Sequence, residues 1–330
     1  MNRIYPSARH LLGISLCSML FGILLAMLGG SFYLRQLLQG ISYTDSDPTS
    51  MLSQAEVDAL LSQDPPDLSP NAVPLPTETV PSESAIYNLL LIGQDRREGE
   101  TRARSDSMIL CTFHTGKKAI TLTSFLRDMY VKIPGYRSNR LNAAYAAGGM
   151  ALLNKTLEQN FSIPIDGSIE VDFSRFPQVI DLLGGVEIEL RQDEADHLGG
   201  SLTQGTQLLT GDQALAYARI RSLDSDGDFS RTERQRKLLT ALITSCRGLG
   251  FTDSLRLARE VFPLLTTDLK PDQLWDLARS LLPMLSDAEI VSQHIPADDA
   301  YTAKTIDGMA VLVPDLDAAR RLLDATVNQP

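Results

Sequence analysis

Residues 11–34, LLGISLCSMLFGILLAMLGGSFYL, run for 24 positions without a charged side chain. At about 1.5 Å of rise per residue such a run covers a hydrocarbon core of about 30 Å. In lipid a lone segment satisfies its own backbone only as a helix, so the run is read as a single transmembrane helix. Arg3 and Arg9 precede it, whereas Arg35 leads into a stretch rich in Asp and Glu. The positive-inside bias then places residues 1–10 in the cytoplasm and everything after about residue 35 outside it. A cleaved signal peptide is the alternative, although no small-x-small site follows a short apolar run; on either reading the body is exported. Cys17 sits inside the run behind Leu16 and lacks the small preceding residue of a lipid-attachment site.

Of the 330 residues 43% are apolar, enough for a substantial core in the exported part. The net charge of -11 disfavours a nucleic-acid partner, so any cationic site must be local. Outside the apolar run only Cys111 and Cys246 remain, which is no disulfide framework or zinc pattern, though one bridge between them stays open. His10, His114, His197 and His294 are scattered, which argues against a His-based metal site or a Ser-His-Asp hydrolase. Chemistry here falls to carboxylates and arginines.

Residues 35–85 are rich in Ser, Thr, Pro, Asp and Glu, with Pro65, Pro66, Pro70, Pro74, Pro76 and Pro81 breaking regular structure. They read as an extracytoplasmic stalk; a coil of about 50 residues spans roughly 40 Å. Residues 53–63 carry a capping-box spacing, Ser53 to Glu56, and an apolar face, and read as either a docking helix or a transient one. The folded domain is expected over residues 86–330. IYNLLLIG from Ile86 reads as a strand buried on both faces. Further strands are expected at 107–113, 119–123, 129–133, 168–172, 186–190, 289–295 and 309–313. Helices are expected at 142–160, 173–183, 212–218, 231–247, 253–262 and 271–285, with a last one from 316. Strands interleaved with helices predict an α/β domain with a central mixed sheet flanked by helices.

Asp95 and Arg96 follow the first buried strand, at a position where α/β sheets commonly bind ligands. Arg104 and Asp106 precede the second, and two carboxylates brought together can hold Mg²⁺ with water and phosphate oxygens completing its shell. Loop salt bridges are the bland alternative. Arg127 follows a third apolar strand and adds to an anion site. If the chain is extended after Ala218, Arg219 and Arg221 point the same way and can clamp one anion. Ser230 and Glu233 have capping-box spacing, so a helix is expected to begin there with amides that favour negative charge. On it Arg231, Arg234 and Gln235 lead into Leu238, Leu239 and Leu242, a face that runs from cationic to greasy, as does a pyrophosphate with a hydrocarbon tail. An Arg-rich, salt-bridged helix start is the alternative. Asp224, Asp226 and Asp228 alternate as in a calcium loop, but Phe229 and Gln235 stand where such a loop needs Gly and Glu.

With these residues in order the chain resembles the LytR-CpsA-Psr family, the ligases that attach wall teichoic acid, capsule and related glycopolymers to peptidoglycan. The motifs are NLLLIGQDRR, RSDSM, SFLRD, Asn142-Ala143-Ala144-Tyr145 before Gly148 and Gly149, and Asp181-Leu182-Leu183-Gly184-Gly185-Val186. They continue with Leu209-x-Gly211-x-x-Ala214-Leu215-x-Tyr217-x-Arg219-x-Arg221 and Asp228-Phe229-x-Arg231-x-x-Arg234-Gln235. The resemblance implies an α-β-α sandwich over residues 86–330 with a tunnel for a prenyl chain. It implies Mg²⁺ on Asp95 and Asp106, and a pyrophosphate among Arg96, Arg104, Arg127, Arg219, Arg221, Arg231, Arg234 and Gln235. Asp228 is implied as base or as orienter of the arginines. Leu126 departs from the Pro that many members carry there, which bears on the loop holding Arg127. The implied reaction moves a phosphoglycan from a polyprenyl-pyrophosphate carrier to a peptidoglycan sugar hydroxyl, on the outer side of a Gram-positive-type membrane. A non-catalytic lipid-pyrophosphate scaffold and a lipid pyrophosphate hydrolase are the alternatives; a transcriptional regulator conflicts with export and acidic charge.

Overall fold

The computed structural model describes residues 41–44, 86–94, 105–172, 175–224, 227–247, 256–257 and 259–328. Through them the chain runs β1 (Ser42–Tyr43), β2 (Ile86–Gln94), β3 (Ser105–His114), β4 (Ala119–Phe125), β5 (Tyr130–Val131), β6 (Asn139–Arg140), α1 (Leu141–Phe161) and β7 (Gly167–Asp172). It continues α2 (Phe176–Leu182), β8 (Val186–Leu190), α3 (Gln192–Leu198), β9 (Gly205–Leu209), α4 (Gly211–Arg219) and α5 (Asp228–Ser245). The remainder is β10 (Leu265–Thr267), α6 (Pro271–Leu285), β11 (Glu289–Ile295), β12 (Tyr301–Ile306), β13 (Met309–Pro314) and α7 (Leu316–Leu323). Among the described residues no helix is long and apolar enough to cross a membrane. The expected span at 11–34, the helix at 53–63 and the rest of the expected stalk at 35–85 apart from residues 41–44 lie outside them, as does the start of the helix expected at 253–262. Residues 41–44 are sheet and not stalk: Ser42–Tyr43 form the edge strand β1 beside β10, and Ile41 is buried.

The chain divides into two compact units, a sheet unit of Tyr43–Asp172, Thr267–Leu269 and Glu289–Pro330, and a helical unit that includes Phe173–Thr266 and Lys270–Ala288. The sheet unit is built on a mixed sheet of order β1-β10-β7-β2-β3-β4-β11, in which β2 pairs with β7 and β4 with β11 in parallel, while β3 runs antiparallel to both neighbours. Register puts Leu89, Ile109, Cys111, Phe113, Ile120 and Leu122 on one face, which turns polar at Ser107 and Ser124 and on β11 at Ser292 and His294. The other face mixes Leu90, Ile92, Met108, Leu110 and Phe125 with Asn88, Thr112, Thr121, Thr123, Ser168 and Glu170. Helix α1 packs on this second face: Asn154 Oδ1 accepts from Ser168 Oγ at 2.8 Å, and the Phe161 and Phe125 rings lie 5.1 Å apart. The turn after α7 covers its far end, where the Thr326 carbonyl lies 2.9 Å from His114 Nε2 and Thr326 Oγ1 accepts from Gln293 Nε2 at 2.8 Å. Most polar groups on this face find partners across the layer or, as Thr112 does with Asn88, within the sheet, as burial requires.

Helix α1 breaks at Gly148 (φ -142°, ψ 19°) and Gly149 (φ 61°, ψ -151°). A φ of that sign with an extended ψ is a conformation only glycine adopts readily, so the expected single helix at 142–160 is two segments that meet at an angle. The strand expected at 129–133 shrinks to Tyr130–Val131.

In the helical unit α2, α4 and α5 gather round the β8–β9 hairpin. The Asp181 carboxylate accepts the Gly211 amide at 2.8 Å, satisfying one of the bare donors at the start of α4. A side chain on Gly211 would fall on the Pro177 carbonyl, so the glycine is what lets α4 approach α2 this closely. Helix α5 begins at Asp228, not at Arg231, and its N-cap is Gly227 (φ 49°) with no side-chain capping bond. The Ser230 and Glu233 capping box therefore does not form. Gly227 turns the chain into the helix earlier, and Asp228 supplies the negative charge in the first turn that favours the dipole. Glu233 instead pairs with Lys237 at 2.7 Å on the exposed face of α5.

Candidate functional site

Two polar clusters, one in each unit, carry the residues singled out by the sequence. In the sheet unit Asp106 is the second residue of β3, at a register shift against β2, and Arg127 lies two residues past the end of β4. Arg127 Nη1 donates to Asp106 Oδ1 at 2.6 Å, with the side chains 21% and 24% exposed, which leaves both within reach of a ligand. The backbone under Arg127 is held from three directions. The Leu126 amide donates to the Ile295 carbonyl at 2.9 Å, the Arg127 carbonyl accepts from Asn142 at 3.2 Å, and the Asp128 carbonyl accepts from Leu312 at 3.0 Å. A proline at position 126 would not make the first of these bonds; here Leu126 is fully buried and ties the loop to β11. Asp128 in turn receives Arg140 Nε at 3.4 Å.

At the same end of β2 the side chain of Gln94, the residue before Asp95, donates to Glu170 and, at 3.3 Å, to the Tyr145 hydroxyl. Tyr145 also donates to Glu170. Nothing in the sequence pairs these three, since they come from two strands and a helix and Glu170 looks like an ordinary strand residue. Asp95, Arg96 and Arg104 lie outside the described residues. Among the described residues no three His, Cys, Asp or Glu gather into a metal cage. Mg²⁺ takes one or two carboxylates and leaves the rest of its shell to water and phosphate oxygens; of the two carboxylates expected to hold it, Asp106 is the described one, and it meets Arg127.

In the helical unit α4 ends at Arg219, and Ile220 (φ -58°, ψ 126°) turns the chain out of it. Ile220 is buried while Arg219 and Arg221 on either side are exposed; because α4 runs on through Arg219, the extended chain expected after Ala218 does not form there, and two-residue alternation does not by itself align the two side chains. Along α5, Arg231, Gln235, Leu238 and Leu242 form a buried row. Arg231 Nη2 donates to Asp228 Oδ1 at 2.9 Å, which orients the guanidinium from one turn earlier. The Gln235 side-chain oxygen is buried and has no hydrogen-bond partner among the described residues, so it is an acceptor in want of a donor.

Arg234 is 2% exposed and lies in a different setting. Its Nε donates to Glu194 Oε1 at 2.7 Å, its Nη2 to the Asp224 carboxylate, and its Nη1 to the Ile220 carbonyl at 3.3 Å. Arg191 Nη2 joins the network at 2.9 Å from Asp224 Oδ1. Burial acts against the charge on both Asp224 and Arg234, but their mutual pairing outweighs it and holds the carboxyl below, and the guanidinium above, its ordinary range. Arg236, which the sequence did not mark, is a third buried arginine of α5, lowered by burial to about 10. Three arginines turned inward on one helix are the only sequence signal that could have drawn attention to it.

The family model described as the LytR_cpsA_psr family matches residues 52–326. The polyisoprenyl-teichoic acid–peptidoglycan teichoic acid transferase TagU of Bacillus mycoides (strain KBAB4) is 35% identical over 230 residues, covering 68% of this chain and 73% of that protein. Among solved structures, TagT bound to LIIa-WTA superposes with a TM-score of 0.63 at 27% identity, over 77% of this chain and 94% of that one. The family protein YwtF (TagT) with bound octaprenyl pyrophosphate lipid superposes with a TM-score of 0.59 at 25% identity, again over 77% and 94%. The motif order, the mixed sheet and these likenesses agree: the chain belongs to the LytR-CpsA-Psr family.

Proposed function

We propose that this chain transfers a phosphoglycan, a teichoic acid, capsule polymer or related anionic glycopolymer, from a polyprenyl-pyrophosphate carrier to a sugar hydroxyl of peptidoglycan. The observation that carries the reading is Arg127, pinned through its backbone to β11, α1 and β13 and set opposite Asp106, where a preorganised guanidinium can meet phosphate charge without reorganising. The likeness to TagU and to TagT with a lipid pyrophosphate supplies the substrate class.

In the proposed reaction the hydroxyl oxygen bonds to the sugar-side phosphorus as the bond from that phosphorus to the bridging oxygen breaks. Polyprenyl phosphate leaves with the electron pair, and the hydroxyl proton ends on it or on solvent. Such chemistry needs mainly positioning and charge neutralisation. Arg127, Arg219, Arg221, Arg96 and Arg104 bind the pyrophosphate oxygens, Arg231 and Gln235 line the site, and Asp228 orients Arg231. Mg²⁺ held by Asp106 and Asp95 would neutralise further phosphate charge. The apolar sheet face of Leu89, Ile109, Phe113, Ile120 and Leu122 suits a prenyl chain. Residues 11–34 anchor the chain as a single span, residues 1–10 are cytoplasmic, and residues 86–330 act at the outer surface.

The test is turnover by the full chain in detergent with a lipid-linked glycopolymer and a peptidoglycan acceptor. Polymer on the acceptor together with released polyprenyl phosphate supports transfer. Release without acceptor labelling would make the chain a hydrolase, and binding without release a scaffold.

A further inference from the structure

Arg234 shares its motif with Arg231 and Gln235, yet every nitrogen of its guanidinium is occupied by the protein. Glu194 takes Nε at 2.7 Å, the Asp224 carboxylate takes Nη2, and the Ile220 carbonyl takes Nη1 at 3.3 Å. Each partner has a distinct place in the chain. Glu194 is buried in the first turn of α3, where its other oxygen accepts the Arg191 amide at 3.0 Å. Asp224 lies in the loop that follows Arg221 and is held a second time by Arg191 at 2.9 Å. Ile220 is the residue between Arg219 and Arg221, at the point where α4 ends.

The backbone carrying the two exposed arginines is thus fixed twice at its midpoint: by the buried Ile220 side chain on one side and by its carbonyl on Arg234. It is fixed again three residues beyond Arg221, at Asp224. A carbonyl fixed between Arg219, the last residue of α4, and Arg221 limits the directions in which both flanking side chains leave. Two guanidinium groups bind one pyrophosphate only if they leave together, and holding them so before the ligand arrives removes an ordering cost.

We propose that Arg234 is a positioning residue for the Arg219 and Arg221 clamp, acting through Ile220 and Asp224, and does not itself touch the pyrophosphate. This rests on the reading of Arg219 and Arg221 as pyrophosphate ligands. The cluster carries no surplus positive charge, with Arg191 and Arg234 set against the three carboxylates of Asp193, Glu194 and Asp224. It therefore supplies direction to the site without adding to its positive field.

The experiment measures binding of farnesyl pyrophosphate to the full chain in detergent, for wild type, Arg234→Lys, Asp224→Asn, the double variant Arg219→Ala/Arg221→Ala, and Arg234→Lys placed in that double background. Cooperative unfolding of each variant is checked alongside. Arg234→Lys keeps the charge but loses the fork, and it should weaken binding by about tenfold or more, as expected for misplaced ligands. Asp224→Asn, at the open edge of the network, should weaken binding by a smaller factor with the fold unchanged, and it carries the test if Arg234→Lys does not fold. In the double background Arg234→Lys should have no further effect, whereas a direct ligand would lose affinity again and overturn the proposal. Binding unchanged in both single variants would also overturn it. If the double variant binds as wild type does, the clamp reading itself fails and the proposal with it.

Discussion

Arg127, two residues past β4, reaches Asp106 at the start of β3, with 2.6 Å between Nη1 and Oδ1. Removing the guanidinium should cost chemistry far more than stability, because the pair is partly exposed and such pairs are worth about 1 kcal/mol or less. Arg127→Ala is expected to lower the transfer rate by about 10²- to 10³-fold, the effect of losing one preorganised charge. Product formation and thermal unfolding measured on the same sample check it, and wild-type turnover would remove Arg127 from the mechanism.

Asp106 is the described residue proposed to hold Mg²⁺. A chelator should slow transfer by the wild type and restored Mg²⁺ should recover it. In Asp106→Asn the starting rate should already be low and respond to neither treatment. An Asp106→Asn protein that remains fully Mg²⁺-responsive would place the ion elsewhere.

Arg219 is exposed at the end of α4. Arg219→Ala should abolish transfer while changing stability by no more than about 0.5 kcal/mol, the usual range for a surface site. Urea unfolding beside the transfer assay separates the two effects.

Tyr145 gives its hydroxyl hydrogen to Glu170. Glu170 is a carboxylate 7% exposed on the sheet. Tyr145→Phe keeps the ring and removes that donor, and a buried acceptor deprived of a partner costs about 1–3 kcal/mol. Equilibrium urea denaturation should register a loss of that size.

Cys111 is fully enclosed in β3, and burial pushes its thiol up to about 12. Below the ordinary thiol value both folded and unfolded chains keep the proton, so the residue has no effect on the pH dependence there. As pH rises past that value the unfolded chain ionises first, and stability is lost at up to about 1.4 kcal/mol per pH unit until the folded thiol ionises as well. Urea unfolding between neutral and strongly alkaline pH should show a steeper decline in wild type than in Cys111→Ala. Neither Cys111 nor Cys246 forms a disulfide, and both should resist alkylation until the protein unfolds.

Where a segment's own residues decide its form, the sequence was a good guide. Strand β8 alternates buried and exposed residues and was placed without error, as was α6, which starts on Pro271. Strand β12 escaped because it pairs only with β13 and most of its residues are exposed, so no apolar alternation marks it. The same holds for β9 and its Gly-Thr-Gln start. Helix α5 starts earlier than its Ser230 and Glu233 spacing implies because Gly227 can take the positive φ that turns the chain there. Within the site, Arg219 and Arg221 were expected on an extended chain, but α4 runs on through Arg219; Arg231 with Gln235 were legible from helical spacing. The Gln94–Tyr145–Glu170 and Glu194–Arg234–Asp224 groupings were not, since they join residues up to 76 positions apart and only the fold pairs them.

The bend at Gly148 and Gly149 gives α1 two independent alignments. Its leading segment answers to the loop that displays Arg127, through the Asn142 amide, and to the β2 terminus, through Tyr145. Its trailing segment answers to Ser168 and Asp268, through Asn154, and to Lys132, through Asn160. A straight rod would force one compromise orientation on both sets of bonds. With a bend between them, each half is oriented by its own set of bonds, so the end beside Arg127 need not share the alignment that Asn154 and Asn160 impose on the other.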